Sequence, residues 1–262
     1  MKDLTVIIPL HKFNEEIENY LNNAINSIIE QKSKPDFIKI IFSDNNNIIQ
    51  LNNFIEKYKK DINIDVIYND GLSDFASQIN FGVNKIDTKW FSILEFDDVY
   101  APIWFDNVSK YIESKTDVSV FIPINNIYDA VSGNFTSFSN EVIWANAFSN
   151  ELGYIDNDCL KVYFDFQVDG AVFNTQDFID VGMLKPSIKL SFWYEYLLRA
   201  TNNGQFIYVI PKIGYHHLIG RDDSLMKYYS QELSPEEGAW WIDLAKKEYN
   251  FLEDRKIGYT KN

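Results

Sequence analysis

Three carboxylates crowd the end of an apolar, aromatic run, Trp90-Phe91-Ser92-Ile93-Leu94-Glu95-Phe96-Asp97-Asp98. The run reads as a buried strand Trp90–Phe96 that delivers its acidic residues to a loop. Carboxylates on a rigid strand end suit a hard divalent cation, Mn²⁺ or Mg²⁺. Such an ion takes one or two protein carboxylates and fills its shell with phosphate oxygens and water. A solvated acidic turn is the plain alternative, so the company of the cluster has to decide between them.

The elements that must position these groups alternate in type. Leu4–Leu10 reads as a buried strand, followed by a helix whose apolar stripe runs Ile17, Tyr20, Leu21, Ala24, Ile25, Ile28, Ile29, with Asn14 as N-cap and Glu15 and Glu16 in its first turn. Strands at Phe37–Phe42 and Asp65–Tyr68 and helices at Ile49–Tyr58 and Phe75–Ile86 precede the acidic strand. Beyond it the pattern gives a helix after Pro102, a strand Val118–Ile122, a strand Ala171–Phe173, and a short helix Thr175–Val181. A longer helix Phe192–Ala200 and a strand Phe206–Ile210 complete the series. This alternation predicts an α/β fold with a doubly wound, mostly parallel sheet flanked by helices on both faces. Ligands of such sheets bind beyond the carboxyl ends of the strands. The acidic cluster, His11 and Asp44 all fall at such ends, which favours a site over a solvated turn.

Bulk properties narrow the partners. The chain has 262 residues, 46% of them hydrophobic and 16% aromatic, enough for a sizeable core. A formal charge of −14 leaves no basic stripe for a nucleic-acid backbone and disfavours unaided adhesion to an anionic membrane. Cys159 is the only cysteine, which excludes an internal disulfide and a multi-cysteine zinc site. Met1-Lys2-Asp3 runs straight into the first strand without a signal-peptide pattern. No apolar run approaches the roughly 18–20 residues of a membrane span. A soluble, cytoplasmic protein without direct membrane insertion is the expectation.

The order of motifs resembles family 2 glycosyltransferases, nucleotide-sugar-dependent enzymes of the Rossmann-like glycosyltransferase-A fold. Val6-Ile7-Ile8-Pro9 is similar to the family's first strand, and Ser27 with Gln31 to the Ser-x-x-x-Gln ending of the following helix. Ile40–Asn45 resembles the second strand, whose terminal aspartate reads the nucleotide base. Gly71 and Asn80-x-Gly82 resemble the segment before the metal strand, and Glu95-Phe96-Asp97-Asp98 stands where the family has Asp-x-Asp-Asp. Val181-Gly182 and Ile188–Arg199 resemble the acceptor side. Phe206–Pro211 and Tyr215–Leu225 resemble the last strand and the His-bearing loop after it.

The resemblance implies inverting transfer of a sugar from a nucleoside diphosphate donor, UDP or dTDP, to a hydroxyl of a glycan or other acceptor. It also implies Mn²⁺ or Mg²⁺ as cofactor. The domain would span 1–225, with a nucleotide-binding half 1–100 and an acceptor half 101–225. A helical extension would follow at 226–262, where Ser234-Pro235-Glu236-Glu237 forms a capping box.

By the same resemblance Pro9, His11, Asp44, Asn80, Glu95, Asp97 and Arg221 are candidates for binding the donor and its metal-bound diphosphate. Asp97, Asp98, His216 and His217 are candidate metal ligands. Several keep a second reading: Asp44 shapes the turn before Asn45-Asn46-Asn47, the paired histidines are hydrogen-bonded structurally, and Arg221 pairs with Asp222 or Asp223.

Inverting displacement also needs a carboxylate to take the acceptor's proton. Aligned on Arg199, the usual acidic positions hold Phe192 and Trp193, so Glu195 becomes the first candidate base and Asp169 the second. Trp144, Trp193, Trp240 and Trp241 either stack on sugars or fill the core. A non-catalytic nucleotide-sugar binder or scaffold of the same fold is the alternative. A sugar nucleotidyltransferase would want a Gly-rich phosphate loop where Pro9-Leu10-His11-Lys12-Phe13 has no glycine.

Overall fold

The computed structural model describes residues 1–145, 149–188, 190–222, 224, 227–228, 231, 236, 239–240 and 242–247. In chain order the strands are β1 (Leu4–Leu10), β2 (Phe37–Phe42), β3 (Asn63–Tyr68), β4 (Trp90–Ile93), β5 (Val99–Tyr100), β6 (Val118–Asp129), β7 (Phe135–Ser139), β8 (Tyr154–Ile155), β9 (Val172–Asn174) and β10 (Phe206–Ile219). The helices are α1 (Glu15–Ile29), α2 (Ile48–Ile55), α3 (Phe75–Val83), α4 (Trp104–Ser114), α5 (Asn157–Val162), α6 (Thr175–Asp180) and α7 (Phe192–Asn202).

All strands join one sheet in the order β3-β2-β1-β4-β9-β6-β10-β5, with β7 on β6 and β8 on β10. Strands β1 to β4 pair in parallel. The sheet becomes mixed where antiparallel β9 is inserted between β4 and β6.

β1 is apolar at nearly every position because both faces are covered. Val6, Ile8 and Leu10 enter a core with α1, α2 and α4, while Ile7 enters the opposite core with α3, α6 and α7. α1 starts at Asn14, whose side chain accepts from the Ile17 N–H at 2.9 Å, as the sequence predicts. α3 lies close on the sheet because residue 82 is glycine: a Cβ there would come within 2.9 Å of Ile41 Cγ1.

Two boundaries differ from expectation, and both shape the site. β4 ends at Ile93, and Leu94–Asp98 form a turn in which the Asp98 N–H donates to the Glu95 carbonyl at 3.2 Å. β10 continues past Pro211 to Ile219, carrying His216 and His217 inside a strand and not on a loop. Proline usually ends a strand; here a register irregularity between Val209 and Ile213 takes it up. At the C-terminus, Ile242 and Ala245 pack on the second core within a helical stretch at 242–247. The predicted capping residues Ser234 and Pro235, with Trp241, lie outside the described residues. No described helix is long and apolar enough to cross a membrane.

Candidate active site

The helix-end motif Ser27…Gln31 fixes the chain that follows the acidic turn. The Ser27 hydroxyl accepts from the Tyr100 N–H at 3.1 Å, and the Gln31 amide donates to the Ala101 carbonyl at 2.8 Å while accepting from the Phe105 N–H at 3.3 Å. From the other side, the Glu95 N–H donates to the buried Tyr215 hydroxyl at 3.1 Å. The acidic turn is thus held at both ends by groups from elsewhere in the fold.

Asp98 is buried and faces β10. Its Oδ1 accepts from the Leu218 N–H at 2.7 Å and its Oδ2 lies 2.9 Å from His217 Nδ1. A carboxylate that fixes one imidazole nitrogen sets the ring's orientation and leaves Nε2 as the nitrogen for a further partner, the usual second shell of a metal-binding histidine. Asp98, expected as a ligand, is therefore committed to aiming His217. His216, also expected as a ligand, projects from the opposite face of β10, where its Nδ1 lies 3.3 Å from Asn126 Nδ2. Adjacent residues of a strand cannot share a face, so the histidine pair splits.

Asp97 lies 3.1 Å from Arg221 Nε, and the guanidinium sits over the rings of Phe96 and Tyr20 at 4.7 and 5.2 Å. This is an ion pair across the site; Asp223, one of the two local partners expected for Arg221, lies outside the described residues.

Asp169 enters the same cluster from the segment before β9. Asn140, in a left-handed conformation at φ 68°, donates to the carbonyls of Pro123 and Gln167 at 2.8 Å each and accepts from the Gln167 N–H at 2.9 Å. On the other side, Gly170 (φ 72°) has its carbonyl bound by Trp104 Nε1 at 2.9 Å. A Cβ at residue 170 would lie 2.4 Å from the Tyr215 ring, so glycine is required there to let the Asp169 segment meet β10.

Among the described residues, Arg221 and His217 are cations set against Glu95, Asp97, Asp98 and Asp169, and the electrostatics follow. Burial, then Asp169, Asp98 and Asp97, push the Glu95 carboxyl well above its usual range. Burial and then Asp98 push Asp97 up to about 6, against the pull of Arg221. Burial raises Asp169, with His217 pulling it back and Asp98 adding to the rise. Burial disfavours the charged form of His217, yet Asp98 and then Asp169 hold its pKa up at about 11.

With all four carboxyls ionised the cluster carries excess negative charge whether or not His217 is protonated, and a divalent cation that takes His217 Nε2 in place of its proton would relieve it. The donor set fits Mn²⁺ or Mg²⁺ as well: one carboxylate from Asp97, one oriented imidazole from His217, and room in the shell for diphosphate oxygens. Among the described residues no group of three or more His, Cys, Asp or Glu side chains could hold a metal by itself, so the substrate would have to complete the shell.

The remaining expected residues are placed as follows. Glu195 is fully enclosed and makes a two-point bond to Arg199, at 2.9 Å to Nε and 3.0 Å to Nη2, with Lys185 Nζ at 3.2 Å. Arg199 in turn donates to the Val181 and Met183 carbonyls. Glu195, expected as the first candidate base, is thus engaged in anchoring the loop before α7. Asn80 is engaged similarly: its amide donates to the Leu184 carbonyl at 2.8 Å and accepts from the Leu184 N–H at 3.0 Å, so it clamps that same loop from α3.

Asp44 accepts from the Asn46 N–H at 3.0 Å and Asn47 Nδ2 at 2.6 Å, the turn-shaping role, at the end of β2. Pro9 is buried within β1 opposite Ile41. His11 is exposed, with its ring centroid 6.5 Å from that of Phe96 in an edge-on arrangement. Trp193 stacks on Phe173 at 5.6 Å and Trp144 meets Tyr208 edge-on, so both serve the core. Asn140 and Tyr215, which hold Asp169 and Glu95, were not legible in the sequence. An asparagine at positive φ and a tyrosine inside a strand carry no local mark of such roles.

A mixed sheet of mostly parallel strands flanked by helices, with an acidic turn after its fourth strand, is the architecture of the glycosyltransferase-A fold. The family model described as "Glycosyl transferase family 2" matches residues 5–164, and the chain belongs to that family. An uncharacterised glycosyltransferase of Haemophilus influenzae is 28% identical over 102 residues, 39% of this chain and 31% of that protein. One from Methanocaldococcus jannaschii is 33% identical over 116 residues, 44% of this chain and 39% of that protein. The chain thus matches well under half the length of either relative. Among solved structures, S. aureus TarS in complex with UDP-GlcNAc superposes with a TM-score of 0.67 at 15% identity, over 94% of this chain and 65% of that one. The likeness establishes the glycosyltransferase-A fold.

Proposed function

We propose that the protein is a metal-dependent, inverting glycosyltransferase that moves a sugar from UDP or dTDP to an acceptor hydroxyl. The observation that carries this reading is the Asp98–His217 pair set beside Asp97 and Asp169 at the carboxyl ends of the strands. Family membership and the likeness to TarS, solved with UDP-GlcNAc and with UDP, support a nucleotide-sugar donor.

In this reading Asp97 and His217 would hold Mn²⁺ or Mg²⁺, and Asp98, 2.9 Å from His217 Nδ1, would keep the imidazole oriented for it. The bound ion supplies Lewis-acid neutralisation of the charge that develops on the leaving diphosphate. Arg221, 3.1 Å from Asp97, would offer its guanidinium to the diphosphate. Asp44, at the end of β2, is assigned in this reading to the pyrimidine base. Asp169 takes the proton from the acceptor hydroxyl as it attacks the anomeric carbon. Burial raises its pKa, which strengthens it as a base toward the acceptor's proton.

Calorimetry with UDP, dTDP and ADP in the presence of Mn²⁺, followed by assays of sugar release and transfer, tests the proposal. A pyrimidine preference that EDTA abolishes is expected. Equal binding of ADP, or binding indifferent to EDTA, would refute the donor or metal assignment. Donor binding with no turnover for any acceptor would favour a non-catalytic binder.

A further inference from the structure

The β6–β7 hairpin carries a surface that the donor chemistry does not use. From Val118 to Asn140 its one charged residue is Asp129, in a chain that is 24% charged and carries −14 overall. Asp129 is turned into its own loop, accepting from the N–H and the hydroxyl of Ser132 at 2.7 Å each. Strand register sets Tyr128 opposite Phe135, and sets Asn126 between Phe138 on one side and His216 on the other. These side chains therefore share one face of the sheet.

Their rings form a continuous row: His216 to Tyr128 at 5.8 Å, Tyr128 to Phe135 at 5.9 Å, and Phe135 to Phe138 at 4.9 Å. Phe135 and Phe138 are each 48% exposed. Asn126 Oδ1 has no hydrogen-bond partner among the described residues. His217, the next residue after His216, turns to the other face and meets Asp98, so one strand serves both the proposed reaction site and this row.

We propose that this face is a docking subsite for a neutral oligosaccharide acceptor, whose sugar rings lie on Phe135, Phe138 and Tyr128 and whose hydroxyls meet His216, held from behind by Asn126. The inference rests on the glycosyl-transfer reading and names its acceptor class. Aromatic faces with an amide and an imidazole beside them match the alternation of C–H faces and hydroxyls on a sugar. An anionic polymer would meet the chain's own negative charge without a basic residue on the hairpin. A second protein is a poorer fit. Two half-exposed phenylalanines offer on the order of 200 Å², against the roughly 800 Å² per side of a stable protein interface.

Calorimetry or affinity electrophoresis with maltoheptaose and chitohexaose as probes tests this, with a hyaluronan octasaccharide as the anionic control. Wild type should bind at least one neutral probe and not the anionic one. Phe135→Ser/Phe138→Ser should weaken that binding at least about tenfold, while Phe135→Tyr/Phe138→Tyr keeps it and UDP–Mn²⁺ affinity stays unchanged in both. No binding of either neutral probe at millimolar concentration would overturn the proposal. So would full binding by the double serine variant, or a concentration-dependent dimer that the double serine variant abolishes. Because UDP–Mn²⁺ binding is measured on the same samples, its absence from wild type would instead count against the donor reading.

Discussion

Around Glu195 one carboxylate meets two cations, Arg199 by two bonds and Lys185 at 3.2 Å, all on the loop and helix that close the second core. Around Asp97 four carboxyls meet Arg221 and His217. Both clusters are largely buried, yet only the first is satisfied by its own residues. A balanced, hydrogen-bonded pair holds structure together. A cluster left with excess charge is a cost to the fold that only a ligand of opposite charge relieves, and strongly shifted groups of this kind mark functional sites. Charge balance separates the two carboxylates that sequence alone offered as the base.

Breaking the unbalanced cluster at its cation position should have the largest effect. Asp97→Asn is expected to abolish Mn²⁺-dependent UDP binding in calorimetry while the far-UV spectrum stays native. Retained Mn²⁺-dependent affinity would remove Asp97 from the metal site.

Asp169→Asn sharpens the comparison from the chemical side. Turnover should fall roughly 10²–10⁴-fold, the usual contribution of a general base, with UDP affinity nearly unchanged. A fully active variant would mean that the acceptor's proton goes elsewhere.

The balanced cluster should answer in stability. Glu195→Gln leaves Arg199 and Lys185 without their carboxylate and should cost about 3–5 kcal/mol, as removal of one partner from a buried pair does. A lower denaturation midpoint with intact UDP affinity is the expected pattern. If turnover collapsed in Glu195→Gln while stability held, the two carboxylates would have to exchange roles.

The smallest effect is a pH dependence with opposite signs for fold and ligand. Asp97 is pushed up to about 6 from an ordinary value of 3.8, so in the metal-free protein it holds its proton more tightly folded than unfolded. Its contribution to stability is present at low pH and lost as the pH rises through about 6. Lowering the pH from 7 to 5 should therefore raise the melting temperature of metal-free wild type relative to Asp97→Asn. The same change should weaken Mn²⁺ binding, because the ion competes with the proton. Parallel pH profiles for the two proteins would rule out this titration.

Much of the nucleotide side could be read directly from the chain. Leu4–Leu10, Phe37–Phe42 and α1 with its Asn14 cap follow from local rules: continuous apolar runs for strands covered on both faces, 3.6-residue periodicity and a side-chain cap. The acceptor side was less legible because its decisive features are not local. β10 passes through Pro211 because β5 and β6 flank it, and β9 runs antiparallel because it is fitted between β4 and β6.

By itself the sequence determined that strands alternate with helices, that an acidic turn closes the fourth strand, and that carboxylates, histidines and an arginine are available to that turn. These properties reside in periodicity and residue type, which act over a few positions. Only the tertiary structure decided which of them meet. It turned His217 toward Asp98 and His216 away, brought Asp169 beside the acidic turn across more than seventy residues of chain, and enclosed Glu195 with Arg199. Contacts between distant segments depend on strand register and on close approaches such as Gly170 against Tyr215, which no short window of sequence specifies.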